Sequence, residues 1–295
     1  MVGRMSKRNP ASGHPRRSWL FVPGADERAQ EAAARCGADV LIQELEDFTP
    51  PELRARARAL APSLYARWRA AGALAAVRVN PLETCGREDL AAVLAGEPDI
   101  VLMSKVARPE QVQALAALAH GVELVPNVES AVGLVRAGEI ARASPRVTAL
   151  LMASEDMVAD LGAERTRGAA ELAYARARFL VECRAAGVEA IDCPYTFSDV
   201  QGAAAEARAA RSLGYRMKSL VHPAHAAAVN RAFTIGAAEL ARARRIVEAF
   251  ERARARGAGR ARVGGRLVEV PVYAAARRLL ERAASRPAPR RKTRG

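Results

Sequence analysis

The chain has 295 residues, of which 50% are hydrophobic and 26% are charged. This composition excludes a disordered chain, and the length is typical of one (β/α)8 barrel of about 250 residues with extensions. Aromatic residues are only 4% of the chain, which disfavours binding of nucleic acid by base stacking. No apolar run reaches the roughly 18 residues that cross a bilayer, and we expect no membrane contact and no secretory signal.

The formal net charge of +14 is concentrated in the two ends of the sequence. Residues 1–17 carry five basic side chains and no acidic one, residues 286–295 carry five more, and about +4 remains between them. We therefore predict disordered basic tails over 1–16 and 285–295, with weak contact to RNA or membrane as the alternative. Charge held in two tails is a poor indication of a nucleic-acid groove, so nucleic acid is not expected as a partner.

Lysine and cysteine are both rare in this chain. Two of the four lysines, Lys105 and Lys218, lie in the body of a chain that otherwise uses arginine as its cation. The four cysteines contain no CxxC pair, which disfavours a zinc cluster or a disulfide scaffold. They are typical of reduced thiols and predict a cytoplasmic location.

Short apolar runs alternate with Ala/Arg/Glu-rich stretches of helical periodicity, the pattern of repeated βα units. This pattern predicts a (β/α)8 TIM barrel over residues 17–235. An open doubly wound sheet is the alternative, but no GxGxxG motif follows the first strand. The predicted strands are Trp19–Val22, Val40–Glu44, Ala75–Val79, Ile100–Met103, Val122–Pro126, Val147–Met152, Val188–Asp192 and Met217–Val221.

A surplus segment follows the eighth unit, and we predict a C-terminal helix and lid extension over residues 236–284. It comprises a helix over Ala237–Arg256, a glycine-rich turn from Gly257 to Gly265, an apolar segment Leu267–Val272 and a final helix. Glycines supply the backbone freedom that a moving lid requires. A packing helix followed by a simple hairpin is the alternative.

Ionisable residues stand at nearly every predicted carboxyl-terminal strand end, where barrel enzymes carry their chemistry. Several acids crowded into one mouth would repel each other unless a divalent cation or the bases Arg78 and Lys105 relieved them. Oxygen ligands with few histidines or cysteines nearby favour Mg²⁺ over zinc. The alternative is a structural ion network with Arg78, Lys105 and Lys218. The acids concerned are Glu46, Asp47, Glu129, Glu155 and Asp156.

Sequence motifs spread over residues 17–280 carry a resemblance to a known family. They comprise RSWLFVPG at 17–24, ELED at 44–47, VRVNP at 77–81, KV at 105–106, VES at 128–130, SED at 154–156, DLG at 160–162, Lys218, and HP at 222–223. In order and spacing the chain resembles the citrate lyase beta-subunit-like proteins of the HpcH/HpaI aldolase superfamily.

The resemblance implies a (β/α)8 barrel with a Mg²⁺ site, acyl-CoA chemistry, and a homo-oligomer such as a trimer or hexamer. Glu129 and Asp156 match the two metal carboxylates, and Arg78 matches the arginine that binds the oxo-acid or thioester oxygen. The resemblance further predicts Glu46, Asp47 and the lid residue Glu269 as catalytic groups beside Arg78. The predicted substrate-binding residues are Arg17, Arg78, Lys105, Ser154 and Glu155.

The chain departs from the usual family pattern at five positions. Glu44 stands where Asp is usual, Ser130 where Thr is usual, and Ala153 where Gly is usual. His225 replaces a usual Gln, and Glu269 replaces the usual lid Asp, which adds one methylene of reach. These changes keep the predicted metal ligands and bear on the reaction.

The resemblance predicts a Mg²⁺-dependent carbon–carbon lyase that cleaves or forms a 3-hydroxyacyl-CoA from an oxo acid and an acyl-CoA. Two alternatives remain. One is a CoA-thioester hydrolase on the same barrel, and the other is a non-catalytic member that binds CoA or RNA.

Overall fold

The computed structural model describes residues 14–284. Within that range eight parallel strands close into a barrel in sequence order, and β8 pairs with β1 through Ser18 and Lys218. The strands are β1 (Ser18–Pro23), β2 (Val40–Glu44), β3 (Leu74–Val79), β4 (Ile100–Met103), β5 (Glu123–Val128), β6 (Ala149–Met152), β7 (Glu189–Asp192) and β8 (Met217–Leu220). The predicted (β/α)8 barrel is confirmed, and the open-sheet alternative is wrong.

Helices connect the strands and cover the outside of the barrel. Some begin at a side-chain cap: Asp26 accepts from the Ala29 N–H, and Ser130 accepts from the Gly133 N–H. The α-helices of the barrel are α1 (Glu27–Arg35), α2 (Arg54–Ala70), α3 (Gly86–Val93), α4 (Pro109–Leu118), α5 (Ala131–Val135), α6 (Ala137–Arg142), α7 (Glu155–Asp160), α8 (Ala173–Ala186), α9 (Val200–Leu213) and α10 (Ala226–Phe233).

Two predicted strand boundaries are wrong by about two residues. Strand β5 continues past Pro126, because Asn127 and Val128 pair with β6. Strand β6 begins late, because Val147 forms only an isolated bridge with Leu124. The later end of β5 brings Asn127 into the regular ladder, where the alternation of side chains fixes the direction in which it points.

Alternate strand residues form two buried layers. Outward residues such as Leu20, Val77 and Leu150 pack in the hydrophobic core beneath the helices. The opposite parity points into the barrel, and the middle of this layer includes apolar side chains such as Trp19 and Ile42. At the carboxyl end the inward layer becomes charged, and this change of composition positions the site described below.

A buried ion network lies among the outward-facing residues of β7 and β8. The fully buried Lys218 Nζ donates to Asp192 Oδ2 at 2.7 Å, to Glu206 Oε1 at 2.6 Å and to the Cys193 carbonyl. Arg176 from α8 donates two hydrogen bonds to Asp192 at 2.8 Å. Burial alone would lower the pKa of Lys218, but the carboxylates of Asp192 and Glu206 raise it. Lys218 is therefore a structural cation on the helix side of the barrel.

Substituting Lys218→Met is expected to lower the free energy of unfolding by about 3–5 kcal/mol, because it leaves buried carboxylates without their cation. Urea denaturation measures this change. The control is Arg56→Met, which breaks an exposed pair with Glu27 and costs under about 1 kcal/mol. Equal losses in the two variants would show that the buried network contributes nothing beyond a surface ion pair.

Residues 234–284 form a second compact unit, whereas Arg16–Phe233 form the barrel unit. The second unit contains α11 (Ala237–Ala255), the antiparallel hairpin of β9 (Ala261–Val263) and β10 (Arg266–Val268), and α12 (Val270–Ala284). Phe250 of α11 stacks on Tyr273 of α12 with 4.6 Å between ring centroids. The predicted lid segment is thus strand β10 followed by the start of α12.

The predicted basic tails fall largely outside the described residues. At the edge of the described range, Arg16 donates two hydrogen bonds to Glu123 at 2.5 and 2.6 Å. Within residues 14–284 no helix is both long and apolar enough to span a membrane. Each of the four cysteines is a free thiol.

Candidate active site

Arg78 is the centre of the charged layer at the carboxyl end of the barrel. Its inward position follows from the alternation along β3, and only 5% of its surface is exposed. Its Nε donates to Glu44 Oε1 at 2.9 Å, and its Nη2 lies 3.1 Å from Glu46 Oε2. The guanidinium also lies over the Phe21 ring, 4.8 Å from the centroid. Burial lowers the pKa of Arg78, but the surrounding carboxylates outweigh this effect and raise it.

Glu44, the residue that differs from the usual Asp, holds both Arg78 and the loop after β2. It is fully buried, and in the sheet register it lies opposite Arg78. Besides Arg78, its carboxylate accepts from the backbone N–H groups of Glu46 and Phe48, each at 2.6 Å. The longer side chain therefore serves as an anchor that orients the arginine and shapes the following turn.

Glu46 and Lys105 form a second pair beside Arg78. Lys105 Nζ contacts Glu46 Oε1 and lies 3.8 Å from Asp47 Oδ1. The backbone of Lys105 is left-handed, with φ of 54°, a conformation that is uncommon for residues other than glycine. Burial raises the pKa of Glu46, and Asp47 adds to this, while Arg78 and Lys105 oppose it.

Glu129 is a buried carboxylate whose oxygens accept no hydrogen bond within the described residues. Only 4% of its surface is exposed, and its Oε1 lies 3.7 Å from Arg78 Nη1. Burial, followed by the charges of Asp156 and Glu46, raises the pKa of Glu129 to about 7 despite Arg78. A buried carboxylate with unpartnered oxygens indicates a ligand or ion at this position.

A cavity of about 430 Å³ opens beside these groups. Its lining combines apolar side chains, among them Phe21, Phe48 and Leu151, with polar and charged ones. A cavity of this size suits a small ligand. The other lining residues are Pro23, Asp47, Arg78, Ala153, Ser154, Glu155, Asp156, Pro194, Thr196, Val221 and His222.

Three consecutive predicted residues, Ser154, Glu155 and Asp156, reach this cavity from the start of α7. Asp156 is half-buried, and its charge acts on Glu129. Glu155 is exposed and accepts from the Thr196 hydroxyl at 2.8 Å and from Arg165 Nε at 3.2 Å. The structure thus brings the two predicted metal carboxylates to one mouth, with Arg78 beside Glu129.

Arg17 and Lys218, also singled out in the sequence, lie elsewhere in the barrel, and Glu269 belongs to the other unit. Arg17 stands before β1 at the amino end of the barrel, where it donates to Asp39 at 2.8 Å, so it is left out of the site. Lys218 belongs to the buried network on the helix side. Glu269 is exposed in the unit 234–284, just before α12.

Sequence reasoning assigned no role to Asn127, Phe21 or Phe48. Both amide atoms of Asn127 are buried without a partner in the described chain, and Glu129, two residues later, directly follows β5. Side-chain alternation along β5 could have predicted this, because residues two apart point to the same face and Glu129 was already assigned to the site. Phe21 has the inward parity of Trp19, whereas Phe48 lies in a loop where no periodicity points to the cavity.

The charges suit a small divalent cation. Five carboxylates surround Arg78 and Lys105, namely those of Glu44, Glu46, Asp47, Glu129 and Asp156. If all ionise, three negative charges remain uncompensated in a partly buried site. No group of three histidine, cysteine or acidic side chains within residues 14–284 forms a ready metal cluster. Mg²⁺ commonly binds one or two carboxylates and keeps its other coordination positions for water and substrate.

The fold and this mouth define a (β/α)8 barrel with an acid-rich site centred on an arginine. The chain belongs to the HpcH/HpaI aldolase/citrate lyase family, whose sequence model matches residues 17–223. The family expected from the motifs is confirmed.

Relatives with different names resemble almost the whole chain. A (3S)-malyl-CoA thioesterase from Cereibacter sphaeroides is 35% identical over 272 residues, covering 92% of this chain and 95% of the relative. The citrate lyase subunit beta of Escherichia coli K12 is 33% identical over 286 residues, covering 91% and 93%. Protein CitE from Mycobacterium tuberculosis, solved with magnesium, acetoacetate and coenzyme A, is 31% identical, with a TM-score of 0.74 and coverage of 90% and 97%.

Proposed function

We propose that this protein is a Mg²⁺-dependent lyase that cleaves or forms the carbon–carbon bond of a 3-hydroxyacyl-CoA, with an oxo acid and an acyl-CoA as the other partners. The observation that carries the proposal is the buried Glu129 carboxylate, which accepts no hydrogen bond within the described residues and lies 3.7 Å from Arg78 Nη1 at the carboxyl end of the barrel. The M. tuberculosis relative, solved with magnesium, acetoacetate and coenzyme A, supports the same ligand classes here.

Glu129 and Asp156 would hold the cation, since they are the carboxylates that meet at the mouth without committed hydrogen-bond partners of their own. When bound, Mg²⁺ supplies Lewis-acid stabilisation of substrate oxygens and a fixed orientation for them. Glu44 and Glu46 are committed to Arg78 and Lys105, so their role is to hold these cations in place.

Arg78 offsets the negative charge that develops on the enolate or thioester oxygen. Its Nε is occupied by Glu44, whereas Nη1 points toward Glu129, so the guanidinium is fixed before substrate arrives. Asp47 lines the cavity and is half exposed, which suits a carboxylate that exchanges a proton with substrate. Lys105, Ser154 and Glu155 are the proposed polar contacts to the rest of the substrate.

A CoA-thioester hydrolase is the second candidate, favoured by the 35% identity to the (3S)-malyl-CoA thioesterase. The two reactions separate by their products. Incubation of (3S)-malyl-CoA with the protein and Mg²⁺ gives acetyl-CoA and glyoxylate if the protein is a lyase, and free CoA and malate if it is a hydrolase. Chromatography of the CoA species distinguishes them. No metal-dependent turnover with malyl-CoA or a panel of related 3-hydroxyacyl-CoA esters would overturn both.

We further propose a cytoplasmic homo-oligomer with residues 236–284 acting as the lid of a site. The free thiols support the cytoplasmic location, and the hairpin β9–β10, which turns at Gly264 and Gly265, supports the lid. Leu267 and Val270 are exposed apolar side chains beside Glu269, and an apolar segment of this kind can exclude water when it covers a bound acyl thioester.

Glu269→Gln is expected to lower kcat about tenfold or more, because the side chain loses its ability to exchange a proton. Mg²⁺ affinity, measured by titration calorimetry, should stay within about twofold, since Glu269 is not a proposed ligand. The matched control is Glu281→Gln on α12, which only breaks an exposed pair with Arg277. If Glu269→Gln and Glu281→Gln both turn over at the parent rate, the lid role is wrong.

A further inference from the structure

The unit 234–284 carries a strong positive charge that the barrel does not share. It has twelve arginines and five acidic residues, a net charge of +7, whereas residues 18–233 have a net charge of −3. The basic character of the body is therefore concentrated in about fifty residues beyond the family match at 17–223. Such a concentration of positive charge favours binding of anions by this unit.

Part of this charge lines a single concave surface, which we call the arginine groove. It has a volume of about 600 Å³ and lies between the end of α11 and the hairpin β9–β10. Four of its lining residues are arginines, and no acidic residue lines it. The groove is lined by Ala249, Arg252, Ala253, Arg256, Ala258, Arg260, Ala261, Arg262 and Leu267.

These arginines have little internal compensation. Arg252 lies 3.9 Å from Glu248 in an exposed pair, whereas Arg256, Arg260 and Arg262 have no carboxylate within 4 Å among the described residues. Residues 1–13 and 285–295 contain no Asp or Glu side chain that could supply one. An anion in the groove would therefore be the first strong partner for three guanidinium groups.

The lining also limits the kind of anion. Between the arginines stand alanines, which leave room for a ligand, and the one larger apolar residue is Leu267. Guanidinium groups bind phosphate oxygens through paired charge-assisted hydrogen bonds. No aromatic side chain lines the groove, so the stacking that sequence-tolerant single-strand binding uses is missing there. A volume near that of small-molecule sites favours a compact ligand over an extended strand.

We propose that the arginine groove binds a compact ligand that carries two or more neighbouring phosphate groups. The anionic oxygens of adjacent phosphates match several guanidinium groups that converge on one concavity. This site does not rest on the proposed lyase function, because it uses none of the residues of the barrel mouth.

Titration calorimetry of the full-length protein in EDTA, with inorganic pyrophosphate as the probe, tests the proposal. Arg260→Gln/Arg262→Gln is expected to weaken pyrophosphate binding about tenfold or more. Arg244→Gln/Arg245→Gln removes the same charge from exposed positions of α11 outside the groove and should change binding less than about twofold. All four side chains are exposed, so both variants should keep the parent melting temperature.

Three results would overturn the proposal: no binding of pyrophosphate at 50 mM salt, equal weakening in both double variants, or binding of single-stranded RNA without binding of pyrophosphate. Equal weakening would indicate diffuse attraction by net charge. RNA binding alone would mean that the groove serves a nucleic-acid backbone. The activity of the barrel site toward 3-hydroxyacyl-CoA is measured separately, so the failure of one proposal does not affect the test of the other.

Discussion

Replacing Glu129 by glutamine is expected to reduce metal-dependent turnover at least about a thousandfold, because a neutral amide is a poor ligand for a hard divalent cation. Calorimetry should show the loss of Mg²⁺ affinity directly. Glu123→Gln is the matched control, since Glu123 is a buried glutamate at the other end of the same strand, paired with Arg16. The control should keep the Mg²⁺ affinity of the parent.

The same substitution has a second consequence in the metal-free protein. Because the pKa of Glu129 is raised from 4.5 to about 7 in the folded state, the folded protein holds this proton more tightly than the unfolded chain. The parent should therefore lose stability as pH rises from about 4.5 through 7, by about 3 kcal/mol at most, and Glu129→Gln should not show that loss. Urea denaturation at pH 5 and pH 8 measures the difference.

Parent-like Mg²⁺ affinity in Glu129→Gln would instead contradict the first prediction and remove Glu129 from the metal site.

Arg78→Lys is expected to lower kcat/KM by about a hundredfold or more while the protein stays folded. Lysine keeps the charge but cannot contact Glu44 and Glu46 and still present a fixed donor to substrate. Loss of one aligned donor to a developing oxyanion commonly costs a factor of about 10²–10³. Steady-state kinetics should show the effect mainly in kcat, because the donor acts on charge that forms during the reaction.

Arg69→Lys is the control for Arg78→Lys. Arg69 lies near Asp99 at the amino end of the barrel, so its replacement should leave the kinetics unchanged. Full activity of Arg78→Lys would mean that charge alone suffices at this position. A loss of folding in Arg78→Lys, detected by circular dichroism, would instead make Arg78 a structural partner of Glu44.

Much of the fold could be predicted because hydrophobic periodicity reports burial directly. The eight apolar runs gave the barrel, and the polar residues that end them gave the mouth. One error arises where a polar residue pairs within the sheet. Asn127 has the polarity of a loop residue, but it continues β5 because it pairs with Leu151 of β6.

Contacts between distant side chains were less accessible from the sequence. Lys105 and Lys218 are equally conspicuous in an arginine-rich chain, but one lies at the mouth with Glu46 and the other is buried against helices α8 and α9. Strand parity separates them only once the strand boundaries are known. Both carboxylate oxygens of Glu44 accept hydrogen bonds from the turn at 46–48, and no periodic pattern in the sequence predicts the shape of that turn.

The Lys218 network makes two segments that line the cavity unequal in their tolerance of substitution. Lys218 donates to the Cys193 carbonyl, and Pro194 and Thr196, which follow Cys193 in the chain, line the cavity. Variation in that segment would disturb a buried electrostatic unit and lower the stability of the fold. The turn after β2 is held through the backbone N–H groups of Glu46 and Phe48, whereas the side chains of Asp47 and Phe48 are partly exposed, so these two side chains can change without breaking a buried pair. We therefore expect new substrate preferences to arise through the β2 turn, whether in natural divergence or in directed evolution.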